Sequence, residues 1–200
     1  MGARPAGGAP PTDPARLSID FLTLPENLPE PEDDGAADHL TGATVPSLLL
    51  DSSAGPVDLG ELCATRAVVY VYPRTGRPGV PLLPGWDAIP GARGCTPHSC
   101  GFRDHADELA TLGARIAGVS AQTLDDQVEF AGRNGINYPV VADPDLRLGD
   151  ALGLPTFVAG GTVLYKRLAF VAERRRIVKV FYPVFPPDRN AADVVAYLRA

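Results

Sequence analysis

The sequence predicts an α/β domain of three layers, with a mixed central sheet between helices. Three observations carry that prediction. Short apolar, β-branched runs alternate with segments of helical character from residue 67 to residue 152. Two later apolar runs are separated only by Glu173-Arg174-Arg175-Arg176, which reads as an antiparallel hairpin. The chain is 45% hydrophobic and 21% charged over 200 residues, which suits one ordinary core plus some extra chain.

Residues 1–39 are rich in Pro, Gly, Ala and acids. The run Pro25-Glu26-Asn27-Leu28-Pro29-Glu30-Pro31-Glu32-Asp33-Asp34 cannot hold a helix or an interior strand. We expect the first fifteen residues to be disordered, Leu17 to Leu24 to pack on the domain as an arm, and the domain itself to span 40–200. Ser47 to Asp51 and Ala54 to Leu59 read as strand, turn and strand. Ala67 to Tyr72 is continuously apolar, as a central strand covered on both faces is, and Pro73 ends it.

Residues 73–94 form a long loop dense in Pro and Gly, which holds the sole tryptophan, Trp86. Loops of this length inside a domain are usually functional. Val80, Leu82, Leu83 and Trp86 either cap a site, mediate a dimer contact or simply pack on the domain. A helix is expected from Pro97 to Leu112, stopped by Gly113. Then come a buried strand at Ala114–Ser120, a helix at Thr123–Asn134 ended by Gly135, a short strand at Tyr138–Ala142 and a short helix at Asp145–Leu152. Leu164–Ala172 and Ile177–Pro183 are the hairpin strands, and Asp188–Ala200 is a closing helix. A βαβ half followed by ββα is the thioredoxin plan.

Composition excludes several functions. A net charge of −6 and a pI near 5 disfavour wholesale binding to nucleic acid or acidic lipid. No stretch approaches the roughly 18 to 20 apolar residues of a membrane span. Met1 to Pro14 is followed by no apolar leader segment, so the expected compartment is the cytoplasm, where thiols stay reduced. The three cysteines are then catalytic, metal-binding or buried rather than a structural staple.

The chemistry concentrates in Gly94-Cys95-Thr96-Pro97-His98-Ser99-Cys100-Gly101-Phe102-Arg103-Asp104. Cys95 falls on or just before the first turn of a helix. There, unsatisfied N–H groups and the helix dipole favour a thiolate and can hydrogen-bond an incoming oxygen. Such a cysteine suits two-electron oxidation to a sulfenic acid. Cys100 lies five residues on, and an ideal helix holds the two Cα atoms on the order of 8 to 9 Å apart on different sides. A disulfide needs them within about 7 Å, so the Cys95–Cys100 bond requires the first turns to unwind. The competing reading makes both cysteines plain buried residues, as free cysteines commonly are. Cys63, just before the apolar strand, reads as core.

These residues resemble the peroxiredoxins, specifically the PrxQ or bacterioferritin-comigratory-protein group of the AhpC/TSA superfamily. The group carries Gly-Cys-Thr, a second Cys five residues on, and Phe-Arg-Asp, here Gly94, Cys95, Thr96, Cys100, Phe102, Arg103 and Asp104. The likeness extends from about Leu40 to Ala200. It takes in Gly118-Val119-Ser120-Ala121-Gln122, Ala142-Asp143-Pro144-Asp145 and Arg167-Leu168-Ala169-Phe170-Val171. It implies a thioredoxin-fold peroxidase without metal or other cofactor, acting on hydrogen peroxide or an organic hydroperoxide and recycled by a thioredoxin-like reductant, as a monomer or homodimer. Cys95 is then the peroxidatic cysteine, Cys100 the resolving cysteine, and Arg167 the arginine beside the thiolate.

The chain also departs from the pattern. The family's Thr three residues and Pro seven residues before the cysteine are here Ala92 and Ala88. Tyr72-Pro73-Arg74-Thr75 looks like the start of that motif with an insertion behind it. On that reading Thr75 supplies the hydroxyl and Pro73 shields the site. The family's Glu three residues after the cysteine is His98, which we expect to be an exposed helix residue. Arg103 reads as a salt-bridging residue of the helix flank. Leu154-Pro155-Thr156-Phe157 superficially resembles the cis-proline signature of thioredoxins, but Arg167 to Val171 fits that place better. Two alternatives stay open: a thioredoxin-fold copper-binding module, for which only His39, His98 and His105 offer imidazoles, and a thiol-disulfide oxidoreductase, which typically uses Cys-x-x-Cys.

Overall fold

The computed structural model describes residues 20–200. The expectation of a disordered first fifteen residues lies outside the described part, as do Leu17 to Ile19 of the proposed arm. A five-stranded mixed sheet organises the domain. β1 (Leu49–Leu50) and β2 (Val57–Asp58) form a small antiparallel pair that leads through the turn-length helix α1 (Leu59–Leu62) into β3 (Arg66–Val71). Helices α2 (Cys95–Asp104) and α3 (Ala106–Thr111) follow, then β4 (Arg115–Ser120), α4 (Leu124–Asn134), β5 (Val140–Ala142) and α5 (Arg147–Leu152). A hairpin of β6 (Thr156–Ala159) and β7 (Thr162–Tyr165) precedes β8 (Leu168–Glu173), β9 (Arg176–Phe181) and the closing α6 (Asn190–Arg199).

The sheet order is β5-β4-β3-β8-β9. β3, β4 and β5 run parallel, while β8 is antiparallel to β3 and β9 antiparallel to β8. β3 is central because both of its faces are apolar. Period-two alternation sends Ala67, Val69 and Val71 into a core with Leu59, Leu62, Leu148 and Leu152, and sends Val68, Tyr70 and Tyr72 into another with Phe102, Leu109, Phe130 and Val194. Helices on both faces of a mixed sheet make the α/β/α thioredoxin-like architecture.

The sequence reading gave no strand at Thr156–Ala159, and two of the elements it did give are broken. The helix expected over Pro97–Leu112 is two helices that meet at His105, whose backbone leaves the helical region. The expected strand Leu164–Ala172 is broken after Tyr165, and its first part pairs instead with Thr156–Ala159 through a turn at Gly160 and Gly161, both at positive φ. The two residues of the break, Lys166 and Arg167, are thereby freed from any ladder. Among the described residues the cis prolyl bonds are Tyr182–Pro183 and Phe185–Pro186, and Leu154–Pro155 is not one of them.

Ahead of the domain, Asp38–Leu40 forms a 3-10 turn whose Leu40, together with Ala37, is buried in the core. Loop 73–94 folds onto the β6–β7 hairpin. Trp86 and Ala92 pack there with Ala159 and Leu164, and the Trp86 ring stands 6.3 Å from that of Phe157.

Candidate active site

Cys95 opens α2, and Gly94 caps it in the left-handed conformation at φ 93°. A Cβ on Gly94 would stand 2.3 Å from Pro187 Cγ and 2.8 Å from Leu24 Cδ2. Both dihedral and space therefore require glycine there. The Cys95 sulfur accepts a hydrogen bond from Arg167 Nη2 at 3.2 Å, and its S–H points to the Ala92 carbonyl at 3.6 Å.

Arg167 reaches this point from the break between β7 and β8. Its Nη2 also faces the carbonyls of Gly91, Ala92 and Arg93 at 3.2, 3.2 and 2.9 Å, so it ties the end of the inserted loop to the start of α2. Nη1 donates to His98 Nδ1 at 3.1 Å, and Nε is buried without a partner. Arg167 is only 4% exposed, and among the described residues no carboxylate pairs with it. A buried charge without a counter-charge is costly, and carbonyl dipoles offset only part of that cost. Among the described residues, a thiolate at Cys95 would be the one full negative charge beside it.

His98 corrects the sequence reading, which placed it on an exposed flank. It is fully buried, because the 3-10 turn Pro187–Arg189 and the start of α6 cover the first turns of α2. A guanidinium has no lone pair to offer, so Nδ1 must accept from Arg167. Nε2 then carries the hydrogen and donates to Asn190 Oδ1 at 2.9 Å. Burial first, and the Arg167 charge second, hold the imidazole well below its ordinary range, so it stays neutral. The position that the resemblance gives to an acid therefore holds a neutral acceptor, and Arg167 keeps its net charge. Tyr70 packs edge-on against the His98 ring at 4.9 Å and stacks on Phe102 at 4.5 Å, which fixes α2 over β3.

Cys100 lies elsewhere on α2. Its sulfur is 4.0 Å from Asn134 Oδ1 at the end of α4, and burial pushes the thiol up. Both cysteines are free, and the helix between them is intact. Cys63 is buried under Arg115 and Arg175, its thiol pushed up to about 12 by burial, and it takes no part in the site. Arg103 pairs with Asp104 and donates to the Asn134 carbonyl at 2.6 Å, a helix-flank role.

Thr75 is buried, but its hydroxyl donates to Gln122 Oε1 at 3.1 Å, as its own amide does at 2.6 Å. It makes no hydrogen bond to Cys95, so the expected contact between its hydroxyl and the sulfur is absent from this arrangement. Gln122 answers through Nε2 to the Thr75 carbonyl at 3.3 Å, and Ser120 Oγ donates to the Pro73 carbonyl at 3.0 Å. The start of the inserted loop is thus pinned to the end of β4. Sequence reasoning missed Gln122 and Asn190 as positioning groups. The Asn190–His98 contact spans 92 positions, and no local pattern marks it.

Cys95 is only 4% exposed, enclosed by loop and arm. It lines a cavity of about 20 Å³ with Phe21, Arg74, Gly76, Leu82 and Trp86. Among the described residues no three His, Cys, Asp or Glu side chains come together as a metal site would need. No described helix is long and apolar enough to cross a membrane.

The geometry can hold and stabilise an anionic sulfur, admit a small oxidant and store a second thiol within the same helix. Comparison with known proteins agrees. The family model described as Redoxin matches residues 40–198. The crystal structure of peroxidoxin BcpB from Mycobacterium tuberculosis superposes with a TM-score of 0.63 at 28% identity, covering 80% of this chain and 96% of that one. Chloroplastic peroxiredoxin Q of Sedum lineare is 24% identical over 161 residues, 80% of this chain and 77% of its own. A Xanthomonas campestris peroxiredoxin Q structure shares the fold, with a TM-score of 0.61 at 23% identity over 76% of this chain and 89% of that one. A sulfur at a helix start under a buried arginine lies inside a matched region that takes in the whole sheet: the chain belongs to the redoxin family and is similar to peroxiredoxins of the Q/bcp type.

Proposed function

We propose that this thiol peroxidase works through Cys95 as the attacking sulfur and Cys100 as the resolving one. The Cys95 thiolate attacks the nearer oxygen of hydrogen peroxide or an organic hydroperoxide. The S–O bond forms as the O–O bond breaks, sulfur is oxidised by two electrons, and the far oxygen leaves as water or alcohol after taking a proton. Arg167 and the N–H groups at the start of α2 face the charge as it spreads from sulfur onto both oxygens. Thr75, held by Gln122, positions the start of the inserted loop that closes over the site. The first turns of α2 then unwind, the Cys100 thiol attacks the sulfenic sulfur, and water leaves as the disulfide forms. A thioredoxin-like dithiol in a reducing cytoplasm restores both thiols by exchange.

One observation carries this reading: Arg167 Nη2 stands 3.2 Å from a sulfur that opens a helix, with no carboxylate among the described residues to claim the guanidinium. The test is peroxide turnover coupled to a thioredoxin system. Cys95→Ser should abolish turnover. Cys100→Ser should consume one equivalent of peroxide and then stop. Full activity in Cys95→Ser would refute the assignment.

A further inference from the structure

The strand of chain ahead of the family match is not idle. Phe21 and Leu24 precede residue 40, where the Redoxin match begins, yet they touch the site. A Cβ on Gly76 would stand 2.0 Å from Phe21 Cε1 and 2.5 Å from Cζ, so the ring lies directly on a backbone surface that only glycine provides. Leu24 seats against Gly94, next to Cys95.

Under this cover the space at the sulfur is about 20 Å³. A single water needs roughly 10 to 15 Å³, so the room is on the scale of water or hydrogen peroxide and far smaller than an aromatic or branched hydroperoxide. A second cavity of about 160 Å³ lies alongside. The two share Arg74, Gly76, Leu82 and Trp86 as walls, and the larger one extends beneath Val80 and Leu83 of the inserted loop.

We propose that Phe21 is a size filter. With its ring on Gly76 the Cys95 chamber admits hydrogen peroxide, and bulky hydroperoxides enter only with the ring displaced, their organic group taking the cavity beneath Val80 and Leu83. This rests on Cys95 being the attacking sulfur. Two features that set this chain apart from the family pattern, the arm and the inserted loop, then serve one purpose, selection of the peroxide.

The experiment is stopped-flow oxidation of the full-length protein by hydrogen peroxide and by cumene hydroperoxide, read as the ratio of their second-order rate constants. Phe21→Ala should shift that ratio about tenfold toward cumene hydroperoxide, since a partly buried ring no longer has to be moved. Gly76→Ala, which dislodges the ring without deleting it, should shift the ratio in the same direction. Val80→Trp, placed in the Phe21→Ala background to fill the larger cavity, should reverse the shift. Leu22 is 62% exposed on the same arm, and Leu22→Ala should leave the ratio alone. A ratio unchanged within about twofold in both Phe21→Ala and Gly76→Ala, or both rate constants rising equally, overturns the filter. Oxidation by hydrogen peroxide that survives Cys95→Ser would overturn the assignment of Cys95 as the attacking sulfur, which separates the two failures.

Discussion

Replacing Arg167 tests how the buried guanidinium acts on the sulfur. At 3.2 Å, a full thiolate charge is attracted by roughly 5 kcal/mol at an effective dielectric near 20. In the transition state that charge is shared among sulfur and two oxygens, so only part of the attraction acts on the barrier. Loss of one preorganised donor to a developing charge typically costs about 10² to 10³ in rate. Arg167→Gln should therefore slow sulfenic acid formation at neutral pH by about 10² to 10³. Arg167→Lys keeps the charge, but one ammonium cannot serve Cys95, His98 and three loop carbonyls together. It should fall between, about tenfold slower than the native chain. Trp86 is the only tryptophan and lines the Cys95 cavity, so its fluorescence in a stopped-flow instrument follows the reaction directly. An Arg167→Gln protein that stays folded and reacts within about threefold of the native rate would remove Arg167 from the mechanism.

Two further outcomes follow from groups around that pair. Unfolded, His98 titrates near the ordinary imidazole value of 6.5, while in the native protein burial and Arg167 keep it neutral to well below that. Between those two values the unfolded chain holds a proton that the native one lacks, so stability falls as pH drops below about 6.5 and is fully present above it. His98→Gln removes this term, so its melting-temperature deficit should shrink between about pH 7.5 and about pH 5; parallel curves would contradict a buried neutral imidazole. Gly94→Ala must strain a φ of 93° and push on Pro187 and Leu24, and should cost about 1 to 3 kcal/mol in denaturant unfolding. A loss near zero would mean that this cap is not constrained as drawn.

What the sequence made legible was the part encoded locally. The β3 run from Ala67 to Val71, the Gly135 stop of α4, and the spacing of Cys95 and Cys100 all depend on neighbours a few residues away. The site's wiring is not local. His98 is exposed by helix periodicity alone, and only the return of Pro187 to Asn190 over α2 buries it. The apolar run from Leu164 to Ala172 read as one strand, which concealed both the Gly160-Gly161 hairpin ahead of it and the break at Lys166 and Arg167. That break is what lets Arg167 leave the sheet and reach the sulfur. Thr75 was read from a motif fragment across an insertion, and the partner that actually takes its hydroxyl, Gln122, lies on the far side of β4 in sequence.

In the proposed mechanism two thiols share one helix: the Cys95 thiolate attacks peroxide, and Cys100 closes on it only after the helix opens. Intact-mass analysis of the reduced protein after one equivalent of hydrogen peroxide measures this directly. A loss of two hydrogens, mapped to the peptide that holds Cys95 and Cys100, is the predicted result. An unchanged mass, or a lone added oxygen that never converts to that bridge, would contradict it.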